Sequence, residues 1–207
     1  MPDDTSSTPS STRLPRSELA YVDYDWALDV KSCPCDVQFV EWLDESGTTD
    51  ATIFHFGTGS HHYVGMECAR PERRNSVLGI TAAPGEHARF VDLVTNQPEV
   101  LRYYNAVFGD IYLLNRRLLP TFDVVTLFHL CEFRNWKHDS YGAMTDIELL
   151  RMLTEQTSDG GHILFYEGSL AFEWPQIGTR AVIEAWLVES GVREVGRFKS
   201  LLVYEKP

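Results

Sequence analysis

Cysteine is scarce in this chain of 207 residues, with four in all, at Cys33, Cys35, Cys68 and Cys131. Cys33-Pro34-Cys35 is a lone CxC with no second matching pair, so its spacing does not specify a zinc site. So few thiols in a chain of this size also argue against a disulfide framework, and reduced cysteines pack as small hydrophobes. Long apolar runs are missing as well, none approaching the roughly 20 residues that a membrane-spanning helix needs. Positive charge is short: 18 Lys and Arg stand against 30 Asp and Glu, for a formal net charge of −12. That excess repels nucleic acid and anionic membranes at long range and argues against a general binder of either. The start, Met1-Pro-Asp-Asp-Thr-Ser-Ser-Thr8, has neither the basic residues nor the apolar stretch of a signal peptide. A cytoplasmic location is therefore expected.

What is present suits one domain with a full core, since 43% of residues are hydrophobic and 12% aromatic. Residues 1–16 are rich in Ser, Thr and Pro and read as a disordered tail. Residues 17–50 read as an N-terminal helical or lid segment, with an amphipathic helix over Val37–Leu43. Its aromatics Tyr21, Tyr24 and Trp26 are placed to cover either a substrate or an open sheet face. From residue 51 to 207 strands and helices alternate. The opening strand, Ala51-Thr-Ile-Phe-His-Phe56, runs into Gly57-Thr-Gly-Ser-His-His62 and then a helix. Further strands are expected over 76–81, 104–110, 122–129 and 162–167. Helices are expected over 86–95, over 146–156 (ending near Gly160-Gly161) and over 179–189. The segment 193–205 has room for two strands meeting near Gly196 to Ser200. Apolar runs of strand length separated by helices indicate a doubly wound α/β sheet whose ligands bind beyond the carboxyl ends of the strands.

Five local words in order carry a resemblance. They are Gly57-Thr-Gly59 after the first strand, Gly109-Asp110 at the third strand end, and Phe122-Asp-Val-Val-Thr-Leu-Phe-His129-Leu-Cys-Glu132. The Gly160-Gly161 turn and the fifth strand complete them. From Ala51 to Glu205 the chain resembles the class I S-adenosylmethionine-dependent methyltransferases. The resemblance implies a Rossmann-like, mostly parallel seven-stranded sheet with its last strand antiparallel, and S-adenosylmethionine as cofactor. It implies cofactor contacts at the positions of His55, Gly57, Thr58, Gly59, Thr81, Asp110 and His129, with Asp110 at the adenine amino group. His129, Glu132 and Tyr166 become the candidate catalytic or acceptor-pocket residues, and Trp136, Lys137 and His138 lie in a loop where such enzymes gather acceptor contacts.

The departures from the family pattern make the motif degenerate. His55 occupies the place of the first-strand acid, His61 that of the third glycine, and Thr81 that of the acid that accepts the ribose hydroxyls. Imidazoles are common metal ligands, so His55, His61, His62 and His129 form an alternative candidate set for a metal ion. The expected function is methyl transfer to a small-molecule substrate in an altered pocket. The alternative is a methyltransferase-fold protein that no longer transfers methyl groups, either a His-ligated metalloenzyme or a non-catalytic scaffold. Neither nucleic acid nor membrane is expected as a partner, and a homodimer is left open.

Overall fold

A computed structural model describes residues 18–174 and 178–207; the tail expected over 1–16 lies outside the described residues. In chain order the elements are α1 (Cys35–Ser46), β1 (Thr52–Phe56), α2 (Tyr63–Cys68), β2 (Ser76–Thr81), α3 (Pro84–Asn96), β3 (Tyr104–Phe108) and β4 (Phe122–Thr126). They continue as α4 (Trp136–Ser140), α5 (Asp146–Glu155), β5 (Thr157–Tyr166), α6 (Thr179–Ser190), β6 (Arg193–Phe198) and β7 (Leu201–Glu205). The seven strands form one sheet in the order β3-β2-β1-β4-β5-β7-β6. β1 pairs in parallel with β2 and β4, and β5 in parallel with β4, whereas β7 runs antiparallel to both β5 and β6. The doubly wound α/β sheet with an antiparallel last strand is therefore present.

Alternation along the strands divides the core into two layers. Ile53, Val77, Val124, Leu164 and Val203 face Phe39, Leu43 and Tyr104 on one side. Phe54, Val125, Ile163, Phe165 and Tyr204 face Leu149, Leu153 and Trp186 on the other. Both faces of the central strands are covered, which is why they read as continuous apolar runs rather than as alternating ones. Local signals set the helix starts. Thr145 and Glu148 form a reciprocal capping box on α5, and Pro84 opens α3 where its missing N–H costs nothing.

Several boundaries differ from expectation, among them the strand expected over 104–110, which ends at Phe108 and leaves Gly109-Asp110 beyond it. The strand expected over 122–129 ends at Thr126, so His129 sits in a turn above the sheet edge. α5 stops at Glu155, and Gly160-Gly161 lie inside β5 instead of closing the helix. There Gly160 N–H donates to the Lys206 carbonyl and Lys206 N–H to that of Gly161, which draws the glycines into the ladder. Within the N-terminal segment only α1 is helical, and residues 18–34 form an irregular strap. That strap crosses the carboxyl edge: Val22 N–H donates to the Ala82 carbonyl, and Ser60 donates through N–H and hydroxyl to that of Trp26. No described helix is long and apolar enough to cross a membrane.

Candidate active site at the carboxyl edge of the sheet

β1 delivers the chain into a turn in which Gly57 and Gly59 take φ of 87° and 56°, the left-handed region that glycine enters without strain. A side chain at Gly59 would collide with the ring of His61, Nε2 first. His61 is thus folded back over the glycine turn. His62, also at positive φ, points the opposite way into the core. Its Nε2 donates to the Glu86 carbonyl at 2.9 Å, so its Nδ1 accepts the Tyr104 hydroxyl at 2.6 Å.

Beyond this turn lies a cavity of about 390 Å³, within the range of small-molecule sites. At one end stand Asp110 and Glu86. The Asp110 carboxylate accepts from the Tyr112 N–H at 2.9 Å and the Tyr141 hydroxyl at 2.6 Å, and His138 Nε2 lies 3.4 Å away. The strap closes over it, since Ala20 N–H donates to Tyr141 Oη. Glu86, on α3, turns its carboxylate toward Thr81, which donates its hydroxyl at 2.6 Å, while Trp26 N–H donates from the strap at 3.3 Å. Burial raises the Glu86 pKa, with the Thr81 and Trp26 hydrogen bonds opposing.

At the middle of the cavity Asp36 enters from α1. Its carboxylate oxygens lie 3.8 Å from His55 Nε2 and 3.6 Å from His61 Nε2. Burial lifts Asp36 to about 7 and pushes His55 down to about 3 and His61 to about 4. Near neutral pH both imidazoles are therefore uncharged, while Asp36 is midway through its ionisation. His55 bonds Thr126 Oγ1 through Nδ1 at 2.8 Å, and its buried Nε2 has no hydrogen-bond partner.

The far end gathers His129, Glu132, Tyr166, Cys33 and Cys35. His129 Nδ1 donates to Glu132 Oε1 at 3.2 Å, and that oxygen also accepts from the Ser169 hydroxyl and the Leu170 N–H. The ring's Nε2 faces Cys33 Sγ at 3.8 Å and Cys35 Sγ at 3.9 Å, and the two sulfurs are 3.4 Å apart. The Cys35 hydrogen bond is the main cause that lowers Cys33 to about 5, with His129 adding to it. Burial opposes the charged form of His129, yet the bonds to Cys33 and Glu132 carry it up to about 10. Burial pushes Tyr166 up to about 12, which keeps its phenol neutral.

Of the expected residues, Gly57, Gly59, Thr81, Asp110, His129, Glu132 and Tyr166 line this cavity, whereas His55 and Thr58 lie beneath it. The four histidines His55, His61, His62 and His129 are not brought to one point, because His62 is committed to Tyr104 and Glu86. Among the described residues, the group with mutually close ligand atoms is Cys33, Cys35 and His129. His138 is buried on Asp110 while its neighbour Trp136 is exposed. Sequence reasoning missed Asp36, Glu86 and Cys33. The CxC was visible, but its partner His129 is 96 positions away.

The strand order and the glycine turn are those of the class I S-adenosylmethionine-dependent methyltransferase fold. The N-methyltransferase NodS from Bradyrhizobium japonicum WM9, solved with S-adenosyl-L-homocysteine, superposes with a TM-score of 0.59 at 14% identity, covering 84% of this chain and 86% of that one. The [4+2]-cyclase SpnF superposes with a TM-score of 0.56 at 14% identity, over 83% of this chain and 63% of that one. TrmN from Thermus thermophilus gives a TM-score of 0.52 at 16% identity, over 82% of this chain and 48% of that one. No protein-family model matches the chain, and no curated protein sequence matches it.

Proposed function

We propose that the protein is an S-adenosylmethionine-dependent methyltransferase acting on a small molecule held at the Cys33–His129 end of the cavity. The observation that carries this reading is the pair of carboxylates that arrive from outside the usual positions. Thr81 cannot accept from two ribose hydroxyls as an acid would, but it orients Glu86 beside the same strand end. His55 is no acid, but Asp36 stands within 3.8 Å of it and lines the cavity. Gly57, Gly59, Glu86 and Asp110 would hold the cofactor, and the residues present fit it on that account. When bound, the cofactor supplies an electrophilic methyl group on a sulfonium.

The chain's own contribution is positional. Glu132 fixes the His129 ring through Nδ1, leaving Nε2 on the cavity wall beside the Cys33 and Cys35 thiols to orient an acceptor heteroatom. The neutral Tyr166 hydroxyl adds a second point of attachment. The strap from residue 18 to 34 excludes water above them, and orientation in a closed site supplies much of the rate in such transfers. Calorimetry with S-adenosylhomocysteine tests the reading: saturable binding supports it, and no heat at millimolar ligand overturns it.

A second reading has its own observation. The His61 ring rests on Gly59, where a cofactor would need close approach. It supports a protein that keeps this fold without methyl transfer, and the same calorimetry separates the two.

A further inference from the structure

The thiols of the CxC motif have no role in the proposed transfer, yet both stand against Nε2 of His129. Cys35 is the first residue of α1 and Cys33 stands just before Pro34 at the end of the strap, and the two thiols project to the same side. The turn after β4 brings His129 to meet them. The Sγ–Sγ separation is 3.4 Å and the two Sγ–Nε2 separations are 3.8 and 3.9 Å. A tetrahedral zinc with bonds of about 2.3 Å to sulfur and about 2.0 Å to nitrogen has ligand–ligand edges of about 3.8 and about 3.5 Å. The three atoms therefore already stand near the corners of one face of such a tetrahedron.

The surroundings match as well. A ligating histidine typically donates its other ring N–H to a carboxylate, which fixes the tautomer and aims the metal-binding nitrogen. His129 does so to Glu132, and Glu132 is held in turn by Ser169 and the Leu170 N–H. Two thiolates also cancel the charge of a divalent ion, which removes the main objection to placing one in a half-buried site.

We propose that Cys33, Cys35 and His129 form a binding site for a soft divalent cation of the zinc class, with the fourth position open to the cavity. Three protein ligands and one open position are the arrangement of a reactive metal site, whereas a purely structural site is closed by four. The site differs in composition from a cluster of histidines and does not depend on whether S-adenosylmethionine is bound; with the cation in place, its open position would take over from His129 Nε2 the orienting of an acceptor heteroatom.

The test uses the full chain, purified under reducing conditions, stripped with a chelator and titrated with Zn2+ and with Co2+. One equivalent of Zn2+ should bind, and Co2+ should show a sulfur-to-metal charge-transfer band. C33S and C35S should each abolish that band, and Glu132→Gln should weaken Zn2+ binding about 10–100-fold. Cys68→Ala, at a buried thiol outside the cluster, should bind as the wild type does. Circular dichroism checks that each variant is folded, and the charge-transfer band of the wild type decides the matter even where one is not. Absence of uptake by the folded wild type overturns the site, as does binding retained in both serine variants. A Cys33–Cys35 disulfide persisting under those reducing conditions also overturns it.

Discussion

Asp36 and His55 face one another at 3.8 Å, a carboxylate from the first helix set against an imidazole at the end of the first strand. Both are buried, and burial moves them in opposite directions, Asp36 up to about 7 and His55 down to about 3. Near neutral pH His55 is therefore uncharged, and Asp36 is at the midpoint of its ionisation instead of fully charged. His61 and His129 face the same space and add to the depression of His55.

This has a consequence for stability in acid. Above pH 6.5 His55 is neutral in both folded and unfolded chains, and its contribution is intact. As the pH falls from 6.5 toward 3, the unfolded chain takes up a proton that the folded chain refuses, so stability declines and then levels off. Between pH 7 and 4.5 the His55 contribution lost is on the order of 3 kcal/mol. Asp36 works in the opposite sense, so the quantity to measure is the difference between wild type and H55Q in urea unfolding. H55Q should show a smaller loss over that interval; parallel curves would refute the assignment.

Glu86 carries the cofactor side of the proposal. Removing one charged acceptor forfeits about 1.5–3 kcal/mol, so Glu86→Gln should weaken S-adenosylhomocysteine binding about 10- to 100-fold. Thermal melting without ligand serves as the control. Unchanged affinity would place the ribose elsewhere.

His61 makes the opposite prediction. Its ring occupies the approach to Gly59, so His61→Gly should tighten binding of the same ligand by about fivefold, roughly 1 kcal/mol. Weaker binding would mean that the imidazole is itself a ligand contact.

At the acceptor end, His129→Gln should reduce methyl transfer about 100-fold once an acceptor is known, because it unsettles the group that orients it. The loss should fall on kcat more than on the affinity for S-adenosylhomocysteine, which calorimetry reads separately.

The core has its own test. Phe165 is fully buried between Trp186 and Tyr204, with ring centroids 5.8 and 5.6 Å away. Phe165→Ala should cost about 3–5 kcal/mol in equilibrium unfolding, the usual price of an aromatic-sized cavity.

Strand and helix periodicity, the glycine turn at Gly57–Gly59 and the run from Phe122 to Glu132 were legible in the amino-acid order, and with them the sheet and the edge that carries the candidate site. These are local signals: which face of an element is buried, and where the backbone must turn, are written within a dozen residues. The partnerships at the site were not legible. Cys33 meets His129 across 96 positions, Asp36 meets His55 from a helix ahead of the sheet, and Glu86 reaches Thr81 from the next helix rather than from the strand itself. The boundary of β4 mattered too, since its early end at Thr126 frees His129 to turn toward the thiols. Such contacts depend on how the parallel crossovers stack distant elements over one edge. Side-chain order along the chain carries no record of that distance, and the packing of α1 and the strap against β1 and β4 is what supplies it.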